Sequence, residues 1–430
     1  MKKLIFVVGA TVVAAGCSSN SGPPCPSGVT SCVSIGAGTT SDDIETDFAT
    51  LKDGDTVVFG AGTFMMTDTI TIAANNVTVI GAGSGQTIFD FSGQKGGDGE
   101  GFFAQSVQNI TLQGFTVRDT LGNAVKVLGS TGVTFRDIAT LWTSDDPSTH
   151  GGYGLYPVQS TNVLVENCDA AGASDTGIYL GQSSEAVLRN NTAHDNVAGI
   201  EVENTYFAEV YGNDVHDNAG GILVFALPGL QQLGTHDVLV HDNKIHDNNT
   251  DNFAPQGNTV GMVPRGTGLL VMAATNVECL HNTISNNETG NSGVLSYYAT
   301  QQPIQDPNYY PLATKVWIHD NIFSGGGDLP DLKKPIGLLL STAQSVFPNG
   351  AVPDLLFDGV EDPALAQQTP TNPDQICYQN NGAVGFVDLH IDQLNSTDSN
   401  LVDVMTQDVT DYTCSLAPGV APVTFPGLTP

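Results

Sequence analysis

Eight stretches of this chain repeat one short pattern. They are Asn109-Ile-Thr-Leu112, Gly132-Val-Thr-Phe135, Asn162-Val-Leu-Val165, Glu185-Ala-Val-Leu188, Phe207-Ala-Glu-Val210, Asp237-Val-Leu-Val240, Asn276-Val-Glu-Cys279 and Lys315-Val-Trp-Ile318. Measured between their fourth residues, the intervals are 23, 30, 23, 22, 30, 39 and 39, so the base period is 22 to 23 residues with insertions. A strand-like unit this short cannot bury a core alone and must stack on its neighbours, which predicts a β-solenoid.

Each full coil reads as three short strands. Three residues after the anchor comes a row of Asn191, Asn213, Asn243, Asn282 and Asn321. Equivalent residues in stacked coils lie about 4.8 Å apart, so these amides are expected to hydrogen-bond along the stack as a ladder. The next segment carries His194, His216 and His246 as an outward column. Imidazoles stacked at that spacing converge poorly on one ion, so the column is read as a solvent-facing polar ladder and no metal site is assigned. The last strand begins with glycine, as in Gly177-Ile-Tyr-Leu180 and Gly199-Ile-Glu-Val202. Its period of two turns Tyr156, Tyr179, Glu201, Leu223 and Leu270 outward. A second outward column holds Val158, Gly181, Glu203, Phe225 and Met272.

Insertions in a solenoid land on loops and crowd one face. Residues 143–153 and 249–266 precede the glycine-led strand, and residues 226–234 and 297–314 follow it. Two such banks predict a groove whose floor is the Tyr156, Tyr179, Glu201 column. Tyrosines stack on sugar rings, and carboxylates serve as acid, base or calcium ligand. Asp145, Asp146, His150 and Tyr153 form one candidate catalytic cluster, in which His150 or Tyr153 moves the proton. Arg265, or a bound cation, would then neutralise a uronate. The alternative is that Asp145 and Asp146 form a solvated turn and His150 is merely exposed. Glu201 and Glu203, two residues apart on one strand, are a candidate carboxylate pair, because about 6.6 Å between them fits a glycosidase. Tyr156, Tyr179, Asp175, Glu203 and Arg265 are the candidate substrate-binding residues.

The N-terminus suggests an address. Lys2 and Lys3 precede an apolar run from Leu4 to Ala15 that ends in Ala14-Ala15-Gly16-Cys17, which reads as a signal peptide over residues 1–16. Cys17 directly after the cut resembles a bacterial lipoprotein signal, with Cys17 as the lipidated residue. Ser18 next to it resembles the outer-membrane sorting choice, periplasmic side or cell surface left open. Residues 17–35 are expected to be a tether, with the membrane met through the lipid alone. Among the other cysteines, Cys25 with Cys32 and Cys377 with Cys414 are candidate disulfides near the two ends, while Cys168 and Cys279 read as buried thiols.

Thirteen Lys and Arg face 45 Asp and Glu, a net charge of −32. That excludes nucleic acid as a partner and would repel an anionic polymer unless calcium bridged it; no other cofactor is expected. A helix near residues 42–51 should cap the first coil. The solenoid is expected over residues 36–327, and residues 328–430 as an irregular region and cap.

Thr56-Val-Val-Phe-Gly60-Ala-Gly-Thr-Phe64 and Asn76-Val-Thr-Val-Ile-Gly81 resemble the N-terminal entry of right-handed parallel β-helix proteins, the all-β fold of pectate lyases and mannuronan epimerases. Gly154-Leu-Tyr-Pro-Val-Gln159, Ala198-Gly-Ile-Glu-Val-Glu-Asn204 and Pro264-Arg-Gly-Thr-Gly-Leu-Leu-Val-Met272 resemble a family of parallel β-helix repeat lipoproteins that occur paired with a secreted diheme c-type cytochrome. The likeness runs from about Asp53 to Cys414. Mannuronan epimerases carry an Asp-Pro-His type motif, whereas here Ser148 and Thr149 separate Asp146-Pro147 from His150. Three functions stay open on this reading. One is polysaccharide binding, with lyase or epimerase processing as an extension; another is a non-catalytic scaffold that docks the cytochrome; the third is a purely structural spacer with no selective ligand.

Overall fold

The computed structural model describes residues 22–95, 99–394 and 400–425. The expected signal peptide and Cys17 lie outside them. Among the described residues no helix is long and apolar enough to cross a membrane.

The chain winds as a parallel β-solenoid with three strand-bearing faces. Anchor strands such as Thr161–Glu166, Ser184–Arg189 and Tyr206–Tyr211 stack in parallel, with Val163 over Ala186 and Ala186 over Ala208. Three-residue strands such as Thr192–His194 and Asp214–His216 form the second face. In the early coils these two faces run together as the eleven-residue strands Gln108–Arg118 and Thr131–Leu141. The glycine-led strands form a separate 11-stranded parallel sheet, the site sheet, which includes Tyr153–Val158, Thr176–Gly181, Ala198–Glu203, Gly220–Phe225 and Thr267–Met272. Inward aliphatic residues from all three faces, among them Val165, Ala193, Ile200, Val240 and Ile284, make one continuous core.

Helix Ser41–Ala49 closes the first coil, burying Ile44 and Phe48. Phe48 meets Phe59 and Phe102 in a cluster of rings. The N-cap of this helix is Thr40, which accepts the Asp43 amide, while the Ser41 hydroxyl accepts the Thr67 amide.

The asparagine ladder is continuous. Asn191, Asn213, Asn243, Asn282, Asn321 and Asn381 pass side-chain hydrogen bonds of 2.9 to 3.1 Å along the stack, and Cys168 starts the row by donating its amide to Asn191. A second ladder runs beside it through Asn196, Asn218, Asn248, Asn287 and Asn291. His194, His216 and His246 stack at 5.4 and 5.2 Å between ring centres. Asp195, Asp217 and Asp247 accept from their Nδ1 atoms.

Stacking continues past the boundary expected at Gly327. Leu355–Phe357 pairs with the Gly290–Leu295 strand, Phe386–Asp388 pairs with Leu355–Phe357, and Ile376–Gln379 pairs with Thr314–His319. Disulfides join Cys25 to Cys32 and Cys377 to Cys414, with Cα atoms 6.3 and 4.9 Å apart. Helix Pro335–Ala343 crosses the outer face of the site sheet, whereas the tail reaches the anchor strands, where the Val420 and Val423 amides donate to Glu278 and Glu209. Leu340, Ala343 and Phe347, from and just after helix Pro335–Ala343, join Leu223, Phe225, Met272, Leu295 and Leu356 in a second apolar core.

Candidate functional site

The outer face of the site sheet changes character along the solenoid axis. Cα register places Phe103, Lys126 and Tyr156 in one column, and Tyr179, Glu201, Leu223 and Leu270 in its continuation. Gly181, Glu203, Phe225 and Met272 form the neighbouring column. From Leu223 onward the second apolar core seals both columns. The predicted groove is therefore covered over its aliphatic half, because the 249–266 insertion and helix Pro335–Ala343 find apolar surface there to bury. Val260 is buried, and Phe253, Ala254 and Val263 pack on the same core.

At the edge of that roof sits a cluster of three carboxyls and three tyrosines. Asp175, Glu201 and Glu203 are 6, 3 and 7 % exposed, which is a depth where unpaired acids are costly. Tyr179 donates its hydroxyl to Glu203 at 2.5 Å. Gly181 makes that bond feasible: a Cβ there would stand 2.1 Å from Cε1 of Tyr179, so only glycine lets the ring lie across its own strand. Tyr153, Tyr156 and Tyr179 pack with ring centres 4.4 to 5.0 Å apart. Tyr153 and Tyr156 are the half-buried members through which the cluster reaches solvent.

Asp175 collects donors. Thr176 Oγ1 lies 3.1 Å from it and Asn258 Nδ2 3.2 Å, and Tyr153 adds a side-chain hydrogen bond. Burial nevertheless pushes its carboxyl up to about 6. Burial raises Glu203 to about 7 against the opposing hydrogen bond from Tyr179. Glu201 is raised well above the ordinary range, first by burial and then by the charges of Asp175 and Glu203. Burial and the neighbouring carboxylates also raise all three tyrosines, Tyr156 to about 12. The Thr176 hydroxyl spends its one proton on Asp175, so burial and the two neighbouring charges dominate at Glu201.

No guanidinium offsets the three acids. Arg265, expected to neutralise a substrate, instead pairs with Glu288 and lies 3.6 Å from Asp251. His150 also stands apart: its ring nitrogens sit 2.6 Å from the Gly172 carbonyl and 3.1 Å from the Ser144 carbonyl, and the ring stacks on Trp142. With a carbonyl acceptor facing each ring nitrogen, His150 clamps its loop. Asp146 caps the turn Pro147–Thr149 by accepting from Ser148 N and Oγ, which hold its carboxyl below the usual range. Asp145 is exposed beside it. The structure thus separates Asp145, Asp146, His150 and Arg265 from Tyr153, and brings Tyr153 together with Tyr156, Tyr179, Asp175, Glu201 and Glu203. Residues 143–149 form a turn capped by Asp146, His150 is half-buried between two carbonyls, and Tyr153 alone of this segment joins the site.

Thr176, Asn258, Lys126 and Glu100 were not legible as site residues. Lys126 Nζ is 3.0 Å from Glu100 and 5.7 Å from the ring centres of Phe103 and Tyr156. The repeated outward column could have pointed to Lys126, which occupies the coil before Tyr156. Among the described residues no group of three or more His, Cys, Asp or Glu is arranged to hold a metal ion.

Comparison with known proteins places the chain. The family described as "Right handed beta helix region" matches residues 79–227 and 140–308, together more than half of the sequence. A polygalacturonase of Cochliobolus carbonum is 30% identical over 168 residues, 35% of this chain and 44% of that protein, so the chain spans less than half the length of this relative. The mannuronan C-5 epimerase AlgE4 A-module of Azotobacter vinelandii superposes with a TM-score of 0.44 at 16% identity, covering 67% of this chain and 84% of its own. Endopolygalacturonase I of Stereum purpureum gives 0.43 at 14%, covering 67% and 96%. PfbA, a surface adhesin of Streptococcus pneumoniae, also gives 0.43 at 14%, covering 66% and 81%. With its parallel coils, stacked asparagines and this family match, the chain belongs to the right-handed β-helix family.

Proposed function

We propose that the protein processes a polysaccharide by acid–base chemistry at Asp175, Glu201 and Glu203. The observation that carries this reading is the burial of Asp175, Glu201 and Glu203 beside one another, which raises Glu201 well above the ordinary carboxylate range and Asp175 only to about 6. Two carboxyls pushed to opposite protonation states are what glycosidic bond cleavage needs. In the hydrolytic form Glu201 gives its proton to the leaving glycosidic oxygen. Asp175 takes a proton from the water that adds to the anomeric carbon, so the C–O bond breaks and one water is consumed. Lyase or epimerase chemistry would use Asp175 as base but needs a cation beside the substrate carboxylate, and Lys126 is already paired with Glu100. The partial likeness to a polygalacturonase supports polysaccharide as the substrate class.

We further propose that Cys17 holds the protein at the outer membrane through its lipid. The net charge of −32 supports a second reading, docking of a basic c-type cytochrome, whose affinity would fall steeply with salt.

Incubation with neutral and uronic polysaccharides tests the first reading, by recording new reducing ends, unsaturated ends and epimerised residues. Product that falls by about 100-fold or more in Glu201→Gln is the expected result. Absence of product across the panel, together with salt-sensitive capture of a c-type cytochrome, would transfer the assignment to the docking reading.

A further inference from the structure

Resting on the polysaccharide reading, we infer that the substrate is a neutral glycan, and that it runs from the acid cluster toward the N-terminal cap along Tyr156, Lys126 and Phe103. The direction follows from what covers the sheet. Beyond Glu201 the outer face is sealed by Leu223, Leu270 and the second apolar core, so a chain cannot continue that way. On the other side the same column leads through half-buried Tyr156 and Phe103 to exposed Thr71. There it opens into a cavity of about 520 Å³ walled by Glu45, Phe48, Thr69, Thr71, Glu100 and Phe103. Register spaces Phe103, Lys126 and Tyr156 one coil apart, about 4.8 Å per step. One sugar spans roughly that distance, so Phe103 and Tyr156 offer two aromatic faces about two steps apart for stacking.

The charge along this path selects the substrate class. Glu45, Asp68 and Glu100 line the cavity at one end of the path, and Asp175, Glu201 and Glu203 are buried at the other. Among the described residues lining the path Lys126 is the one cation, and Glu100 holds it at 3.0 Å. A uronate would bring a carboxylate at each residue into a trough that is already anionic and has no free guanidinium. Each such charge would be desolvated without a partner. Hydroxyls and ring faces meet no such penalty. Acidic wall residues can accept hydrogen bonds from sugar hydroxyls, whereas the carboxylate of a uronate has no proton to give them.

Calorimetric titration of the full-length Glu201→Gln protein separates this inference from the reading beneath it. The probes are xylohexaose, cellohexaose and galactohexaose against hexagalacturonate and hexamannuronate, each with and without calcium. The expected result is that at least one neutral hexaose binds about tenfold or more tightly than either uronide, and that Phe103→Ala weakens it by about tenfold, the loss of one stacking face. Uronide binding equal to or tighter than neutral binding overturns the inference and leaves the polysaccharide reading standing. So does neutral binding that ignores Phe103→Ala, since the chain would then lie elsewhere. Binding of neither class removes the polysaccharide reading and this inference together.

Discussion

Two rows of buried polar side chains run through this molecule at the same depth, and they are built on opposite terms. In the asparagine ladder Asn243 accepts from the Asn213 amide and side chain, and donates to Asn282 and to the Val210 carbonyl. Every polar atom is answered, and the row stabilises the stack. In the carboxyl cluster Asp175, Glu201 and Glu203 share few donors and no guanidinium, and their proton affinities rise in consequence. A fold that places fully satisfied amides coil after coil has no structural need for three mutually repelling acids. That contrast separates scaffold from chemistry here.

The largest effect should come from the satisfied row. Asn243→Leu would strand the Asn213 amide donors and the Val210 carbonyl, costing about 4 kcal/mol of stability by the penalty for buried unmet groups. Denaturant unfolding would show it, and a loss under about 1 kcal/mol would mean that the ladder is not what binds the coils. In the cluster, Gly181→Val would drive a side chain into the Tyr179 ring and free Glu203. It should cost about 2–3 kcal/mol by overpacking and shift the tyrosine absorbance and near-ultraviolet dichroism.

A smaller effect appears with pH. Asp175 and Glu203 have folded-state values raised to about 6 and 7, above 3.8 and 4.5, so the folded chain holds protons that the unfolded chain has released. Their contribution is fully present below the unfolded values and is lost as pH rises through the folded ones. Wild type should therefore lose about 1–2 kcal/mol relative to Glu203→Gln between pH 5 and pH 8. Parallel stability profiles of the two proteins would contradict a raised Glu203. Asp358, in the last coils, is likewise raised to about 7 by burial, which is why the difference between proteins is the quantity to read.

The smallest effect belongs to the surface. His194 is raised to about 9, chiefly by its hydrogen bond to Asp169, so its ion pairs help below about pH 6.5 and fade as pH passes 9. Because these partners are largely solvated, His194→Gln should cost under about 1 kcal/mol at pH 6 and nothing at pH 10. Thermal midpoints at the two pH values would check this.

The sequence made the repeat legible because each anchor, ladder residue and outward tyrosine recurs at a spacing that a strand period converts directly into a face. Period two puts Tyr156, Tyr179 and Glu201 in one column, and register keeps them there. Asn258 was invisible because it reaches Asp175 across 83 residues from an insertion with no repeat of its own. Leu223 and Leu270 read as groove floor because period alone cannot tell an open face from one roofed by a distant helix. The late strands leave no sequence signal, since Leu355–Phe357 and Phe386–Asp388 are three residues each, too short to show alternation. His150 looked catalytic by composition; only the Gly172 and Ser144 carbonyls reveal that both nitrogens are engaged.

One variant read twice tests the central claim. Glu201→Gln keeps the shape of the side chain and removes the acid, so the unfolding midpoint should stay level or rise while polysaccharide processing disappears. A midpoint that drops by several degrees, with glycan binding and product unchanged, would make Glu201 one more rung of the scaffold and contradict the account.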